Sequence, residues 1–111
     1  MTTRSIFIAR LSAILSERLA DPDLNGEQIA FELNMSRMHL HRHLKRYCEA
    51  SAGEVIQSAR MERGSQYLRS TELSVKQIAY AVGYRDPAYF ARVFKRHYGV
   101  SPRALRNQKK G

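Results

Sequence analysis

Three histidines alternate along a short basic run, His39, His41 and His43, among Arg37, Arg42, Lys45 and Arg46 and just before Cys48. Residues 36–48 contain no acidic side chain. Two chemistries suit such a run. His39 and His43 stand four apart and would share a helix face, as zinc ligands can. No carboxylate or second cysteine completes that set, so neither a metal nor a cofactor is expected. The other chemistry is recognition of an anion. Arginine pairs bidentately with guanine, small and aromatic side chains touch thymine methyls, and lysine and arginine neutralise phosphates. A second run, 85–98, repeats the pattern with Arg85, Arg92, Lys95 and Arg96, and Asp86 is its only acid.

The charge distribution agrees with an anionic partner. The chain has 111 residues and a formal net charge of +9. Before Ser36 the basic residues are Arg4, Arg10 and Arg18, against Glu17, Asp21, Asp23, Glu27 and Glu32. The surplus therefore lies entirely from Ser36 onward. Nucleic acid and anionic membrane surfaces are the partners that such a surplus suits. No apolar run approaches the roughly 18 residues of a membrane span. The N-terminal stretch is broken by Arg10, Glu17 and Arg18 and does not read as a secretion signal. With Cys48 alone no internal disulfide can form, so a reducing, cytoplasmic setting is expected, with Cys48 packed as a helical thiol. No P-loop, nucleophile elbow or paired carboxylates appear, so an enzyme is not expected.

The elements that must position these runs are all helical. Apolar residues recur at helical spacing and no alternating run stands out. A first helix is predicted over Ser5–Leu19, with Phe7, Leu11, Ile14, Leu15 and Leu19 inward and Asp21-Pro22-Asp23 ending it. Asn25 caps a short helix to Leu33, with Gln28 placed to complete a capping box. Ser36 caps a third, to Tyr47. Ser51 with Glu54 opens a long helix to Arg69, whose inner positions include Val55, Ile56, Ala59, Tyr67 and Leu68. Gly64 inside it points to close packing against a neighbour. Ser74 with Gln77 opens a fifth helix to Val82. Asp86-Pro87 and Ser101-Pro102 open the last two, proline being harmless at a first helical position. The tail 108–111 is expected to fray.

The chain also repeats itself. Gln28-Ile29-Ala30-Phe31 matches Gln77-Ile78-Ala79-Tyr80 at an offset of 49. Leu44-Lys45-Arg46-Tyr47 matches Phe94-Lys95-Arg96-His97, and Ser51 matches Ser101, at an offset of 50. The second copy thus holds one extra turn residue. Each copy reads as short helix, tight turn, longer helix, the helix-turn-helix pattern. Ala30, Asn34 and Leu40 take the close-contact, turn and packing roles in the first copy; Ala79, Gly83 and Phe90 take them in the second. In this motif the second helix enters the major groove. With Leu40 and Leu44 turned to the core, Arg37, Met38, His41 and Arg42 are the candidate base-reading residues. With Phe90, Val93 and Phe94 turned inward, Ala88, Tyr89, Ala91 and Arg92 are theirs in the second copy. Ser36, Lys45, Arg46, Lys95 and Arg96 suit phosphates.

At this point the sequence resembles the DNA-binding domain of AraC/XylS-type transcriptional regulators. Ser74-Val-Lys-Gln-Ile-Ala-Tyr-Ala-Val-Gly-Tyr-Arg-Asp-Pro-Ala-Tyr-Phe-Ala-Arg-Val-Phe-Lys-Arg-His-Tyr-Gly-Val-Ser-Pro-Arg103 follows that family's signature at nearly every diagnostic place, and Arg60-Met61 fit its opening. The resemblance covers roughly Leu11 to Arg106. It implies an all-α, homeodomain-like fold of about seven helices. Residues 1–111 would form one such domain: a first helix-turn-helix subdomain at 5–50, a linking helix at 51–70 and a second subdomain at 71–108. It implies a sequence-specific transcription factor on double-stranded DNA, often an activator touching RNA polymerase, with the isolated domain monomeric and both recognition helices in adjacent major-groove segments. A linking helix of about 20 residues spans about 30 Å, and successive groove turns lie about 34 Å apart. Asn34 departs from the glycine common in the first turn. The family's usual ligand-binding or dimerisation domain has no counterpart in the sequence. Either a small stand-alone regulator or an output domain of a larger one is expected, and Asp21-Pro22-Asp23-Leu24, which resembles the entry to such domains, tilts the expectation to the second.

Overall fold

A computed structural model describes residues 2–110. Among them are seven α-helices and no strand: α1 Thr3–Arg18, α2 Gly26–Glu32, α3 Arg37–Cys48, α4 Ala52–Ser70, α5 Val75–Ala81, α6 Pro87–Tyr98 and α7 Pro102–Lys110. No helix among the described residues is long and apolar enough to cross a membrane. Polar side chains at the starts set these boundaries by satisfying backbone N–H groups that have no partner within the helix. Ser36 accepts from His39 N–H at 3.0 Å. Glu54 accepts from Ser51 N–H at 2.9 Å while Ser51 accepts from Glu54 N–H at 3.1 Å. Ser74 and Gln77 form the same reciprocal box. Asp86 accepts from Ala88 N–H, with Pro87 first in α6.

Three features of the helix ends differ from the sequence expectation by more than a one-residue shift. α1 begins two residues earlier, because Thr2 and Ser5 form a capping box of their own. At α2, Asn25 caps Gln28 N–H as expected, but the Gln28 side chain turns to Arg18 instead (Nη2–Oε1 3.4 Å), so the reciprocal half of that box is replaced by a tie to α1. α7 runs through Lys110, so three of the four residues expected to fray are helical; Gly111 lies outside the described residues.

The chain divides into two compact units. The first holds residues up to Leu19 and Asp23–Ala59. Its core is aliphatic apart from Phe7: Leu11, Leu15, Leu24, Ile29, Leu33, Leu40, Leu44 and Ile56 are all buried. Val55, Ala59, Ile14 and Cys48 pack at its margin. Arg18 bridges to Glu32 at 2.9 Å.

The second unit holds Ala20–Pro22 and the chain from Arg60 onward. Its core centres on Phe90 and Phe94, with Met61, Leu68, Ile78, Ala79, Val82 and Val93. Each large apolar side chain so buried is worth about 1.5–3 kcal/mol. Gly64 lies against Phe90: a Cβ there would come within 3.2 Å of its ring, which bears out the close packing inferred for this glycine. Two arginines finish the unit. Arg60 donates to the Asp21 carbonyl at 2.8 Å and lies 5.6 Å over the Tyr84 ring. Burial pulls the Arg60 guanidinium below its usual range and pushes the Tyr84 phenol above its own. Arg106 donates to three carbonyls, Leu68, Leu73 and Thr71, at 3.2, 2.6 and 3.2 Å. It thereby covers the Leu68 and Thr71 carbonyls where α4 ends and the Leu73 carbonyl just before the cap of α5.

The repeat is visible bond for bond up to the inserted residue. Met35 N–H donates to Ala30 O at 2.9 Å, and Tyr84 N–H to Ala79 O at 2.9 Å. Asn34 N–H donates to Phe31 O, and Gly83 N–H to Tyr80 O, each at 3.1 Å. Asn34 (φ 56°) and Gly83 (φ 98°) turn the chain through left-handed geometry. Arg85 is then the extra residue before the cap of α6.

Candidate nucleic-acid interface

α3 and α6 each turn two or three apolar residues into a core and leave the opposite face in solvent. On α3, Leu40 and Leu44 are buried and Arg37, Met38, His41 and Arg42 are exposed, Met38 at 67%. A large apolar side chain this exposed on a helix otherwise rich in cations is suited to a contact partner. Arg37 sits 3.3 Å from Glu27, but both side chains are largely in water, so the pair holds it weakly. His41 and Arg37 line a hollow toward the starts of α2 and α4.

On α6, Phe90, Val93 and Phe94 are buried and Ala88, Tyr89 and Arg92 are exposed. Ala91 is half-buried and presents less surface than its companions. The Arg92 guanidinium lies 5.6 Å over the Tyr89 ring, which in turn lies 6.0 Å from Tyr84. Stacking of this kind pre-orients a guanidinium and lowers the entropy lost when it meets a base edge.

The expected phosphate residues lie further along the same helices. Lys45, Arg46, Lys95 and Arg96 are exposed, with Arg46 5.7 Å over the Tyr47 ring. Ser36 is exposed too; its oxygen caps α3 by accepting from His39 N–H, which leaves its O–H able to donate. The histidines divide. His43 is partly buried, its ring 5.0 Å from Phe7 and 5.5 Å from Tyr47, while His39 is exposed with its ring 4.4 Å from that of His43.

Two features escaped sequence reasoning. Phe31 and Tyr80, at matched places on α2 and α5, are 82% and 48% exposed. The sequence assigned them no role beyond the repeat, and of the matched tetrapeptides only Ile29, Ala30, Ile78 and Ala79 are buried. His39 is the second. The offset of 50 pairs it with Tyr89, a candidate reader, while Arg37 pairs with Pro87. The repeat itself contained the signal.

These two exposed basic helices, each following a tight turn, define a DNA-binding domain of the double helix-turn-helix class. A family model described as a helix-turn-helix domain matches residues 29–108. The chain is 32% identical over 101 residues to the HTH-type transcriptional activator RhaS of Escherichia coli, covering 91% of this chain and 36% of RhaS. Among solved structures it resembles the C-terminal domain of AraT, a response regulator from Geobacillus stearothermophilus, with TM-score 0.86 and 33% identity over 96% of this chain and 88% of that one. It also resembles a transcriptional regulator from Chromobacterium violaceum of the AraC-type DNA-binding class, with TM-score 0.80 and 26% identity over 95% and 96% of the two chains. The chain belongs to the AraC/XylS family of helix-turn-helix proteins and is a DNA-binding transcription regulator domain. It spans little more than a third, or less, of the curated relatives it matches first.

Proposed function

We propose that this chain reads double-stranded DNA through two separate base-reading sets, with α3 in one major-groove segment and α6 in the next. The observation that carries the reading is the pairing of Arg42 with Arg92. They hold the same place in the two copies, both are exposed, and both lie opposite a buried apolar stripe. Arg37, Met38, His41 and Arg42 form the first set; Ala88, Tyr89, Ala91 and Arg92 form the second. Ser36, Lys45, Arg46, Lys95 and Arg96 hold phosphates. The length of α4 supports the bipartite reading: its 19 residues extend about 28 Å, close to the roughly 34 Å between turns of the groove.

The domain acts in the cytoplasm as a monomer and serves as an activator, as RhaS is named. RNA polymerase is its second partner, and the exposed side chains of Phe31 on α2 in the first unit and of Tyr80 on α5 in the second are each apolar and suited to such a contact. The test is binding to duplex DNA, selected from a random pool, across a salt series. Neutralising several phosphates predicts a steep, linear fall of log affinity with log salt. Absent or salt-insensitive binding would overturn the reading.

A further inference from the structure

On the flank of α3 away from Arg37 and His41 lies a shallow hollow of about 420 Å³, lined by Ser36, His39, Arg42, His43, Arg46 and Tyr47. Every one of these side chains can donate a hydrogen bond, and none is a carboxylate. The helical period explains the grouping, since residues three and four apart share a face. The hollow is also ordered from behind. His43 Nδ1 lies 3.2 Å from the His39 carbonyl, and its ring clusters with those of Phe7 and Tyr47, all three centroids within 5.9 Å of one another. The Arg46 guanidinium rests over Tyr47. His39 stands at the edge, exposed, its ring set against that of His43.

We infer that this hollow seats one backbone phosphate of the DNA, with His39 and Arg46 as its two principal donors. The inference rests on the DNA-binding reading above and adds to it a residue, His39, that the base-reading and phosphate sets leave out. A phosphate offers acceptor oxygens only, and the hollow can meet them with donors from Ser36, His39, Arg42, Arg46 and Tyr47 and sets no carboxylate against them. Arg42 lines the hollow as well and keeps the base-reading role proposed above.

The second copy does not repeat the seat. The matched positions are Asp86, Tyr89, Arg92, Val93, Arg96 and His97. A carboxylate replaces the hydroxyl at the mouth, and Val93 is buried in the core. The seat is therefore specific to the first recognition helix.

The test uses the full chain and a duplex it selects from a random pool, with methylphosphonate replacing one phosphate at a time along the first half-site. His39→Ala should weaken binding to the unmodified duplex about tenfold, the loss of one charge-assisted hydrogen bond. Base preference should stay unchanged. One methylphosphonate position should abolish the difference between wild type and variant, and His39→Gln, which restores a neutral donor, should recover part of the loss. Equal melting temperatures check that the fold is intact, as expected for an exposed residue. A shift in base preference would make His39 a base reader and overturn the inference. So would a loss that persists at every methylphosphonate position, or no loss at all. If the wild-type chain binds no duplex, the DNA-binding reading itself fails, and the two failures are distinct.

Discussion

The two helix-turn-helix units make the same two bends with different residues. Each recognition helix lies between a left-handed residue in the turn before it and another at its C-terminus. In the second unit both are glycines, Gly83 (φ 98°) and Gly99 (φ 80°). In the first they are Asn34 (φ 56°) and Glu49 (φ 53°). Left-handed geometry crowds a Cβ against the following carbonyl and costs about 1–2 kcal/mol for an ordinary residue, less for asparagine. The cores differ as well. Leu40 and Leu44 in the first unit stand where Phe90 and Phe94 stand in the second. The second copy is thus built for stability around an aromatic centre. The first retains local strain and carries the richer set of donors on its exposed face.

The largest expected effects sharpen this contrast in the cores. Phe90→Ala should cost about 3–5 kcal/mol and Leu40→Ala about 2–5. Phe90 is the more damaging of the pair because Gly64, Tyr84 and Phe94 all pack on its ring. Denaturant unfolding of each variant measures this, and a costlier Leu40→Ala would reverse the ranking of the two units.

Next comes the arginine clamp, which has no equivalent in the first unit, where the matched position is the buried Ile56. Arg106→Ala should cost about 1–3 kcal/mol, because it leaves the carbonyls of Leu68, Thr71 and Leu73 to find other partners. Hydrogen exchange should quicken at the end of α4 and not in α2 or α3. Uniform quickening would contradict a local clamp.

The bends themselves give smaller effects of opposite sign. Gly99→Ala has open space for the added methyl, so its cost is backbone strain alone, about 1–2 kcal/mol. Glu49→Gly relieves the same strain and should stabilise by about 0.5–1 kcal/mol, net of the extra freedom of the unfolded chain. Equal signs for the two substitutions in thermal melts would break the comparison.

The smallest effect is electrostatic. Hydrogen bonds from the Ser51 backbone and side chain hold the Glu54 carboxyl below its ordinary value of 4.5. A depressed carboxylate stabilises the fold above the unfolded value and loses that contribution as pH falls below 4.5 through the folded one. The melting temperature of Glu54→Gln should therefore trail wild type at neutral pH and converge with it below pH 4.5. A constant gap would show that the charge is not the source.

What the sequence disclosed was mostly local. Ser36, Ser51-Glu54, Ser74-Gln77 and Asp86-Pro87 act within three residues of themselves, so caps and boundaries at those helices were legible. The repeat made the turn geometry legible, down to the inserted residue. Longer-range choices were not. Gln28 could serve Asn25 or Arg18, and only packing puts Arg18 within reach. Arg106 meets carbonyls more than 30 residues away, and nothing near it in the chain marks those partners. On α3 the outward face was legible, but its division into two flanks depended on where Phe7 and Tyr47 hold His43.

The central claim, two separate base-reading sets, is tested most directly by footprinting on a selected duplex with wild type, Arg42→Ala and Arg92→Ala. Each substitution should relax base preference at its own place, the two places about one helical turn, roughly 10 base pairs, apart. Loss of preference at a single shared position would contradict it.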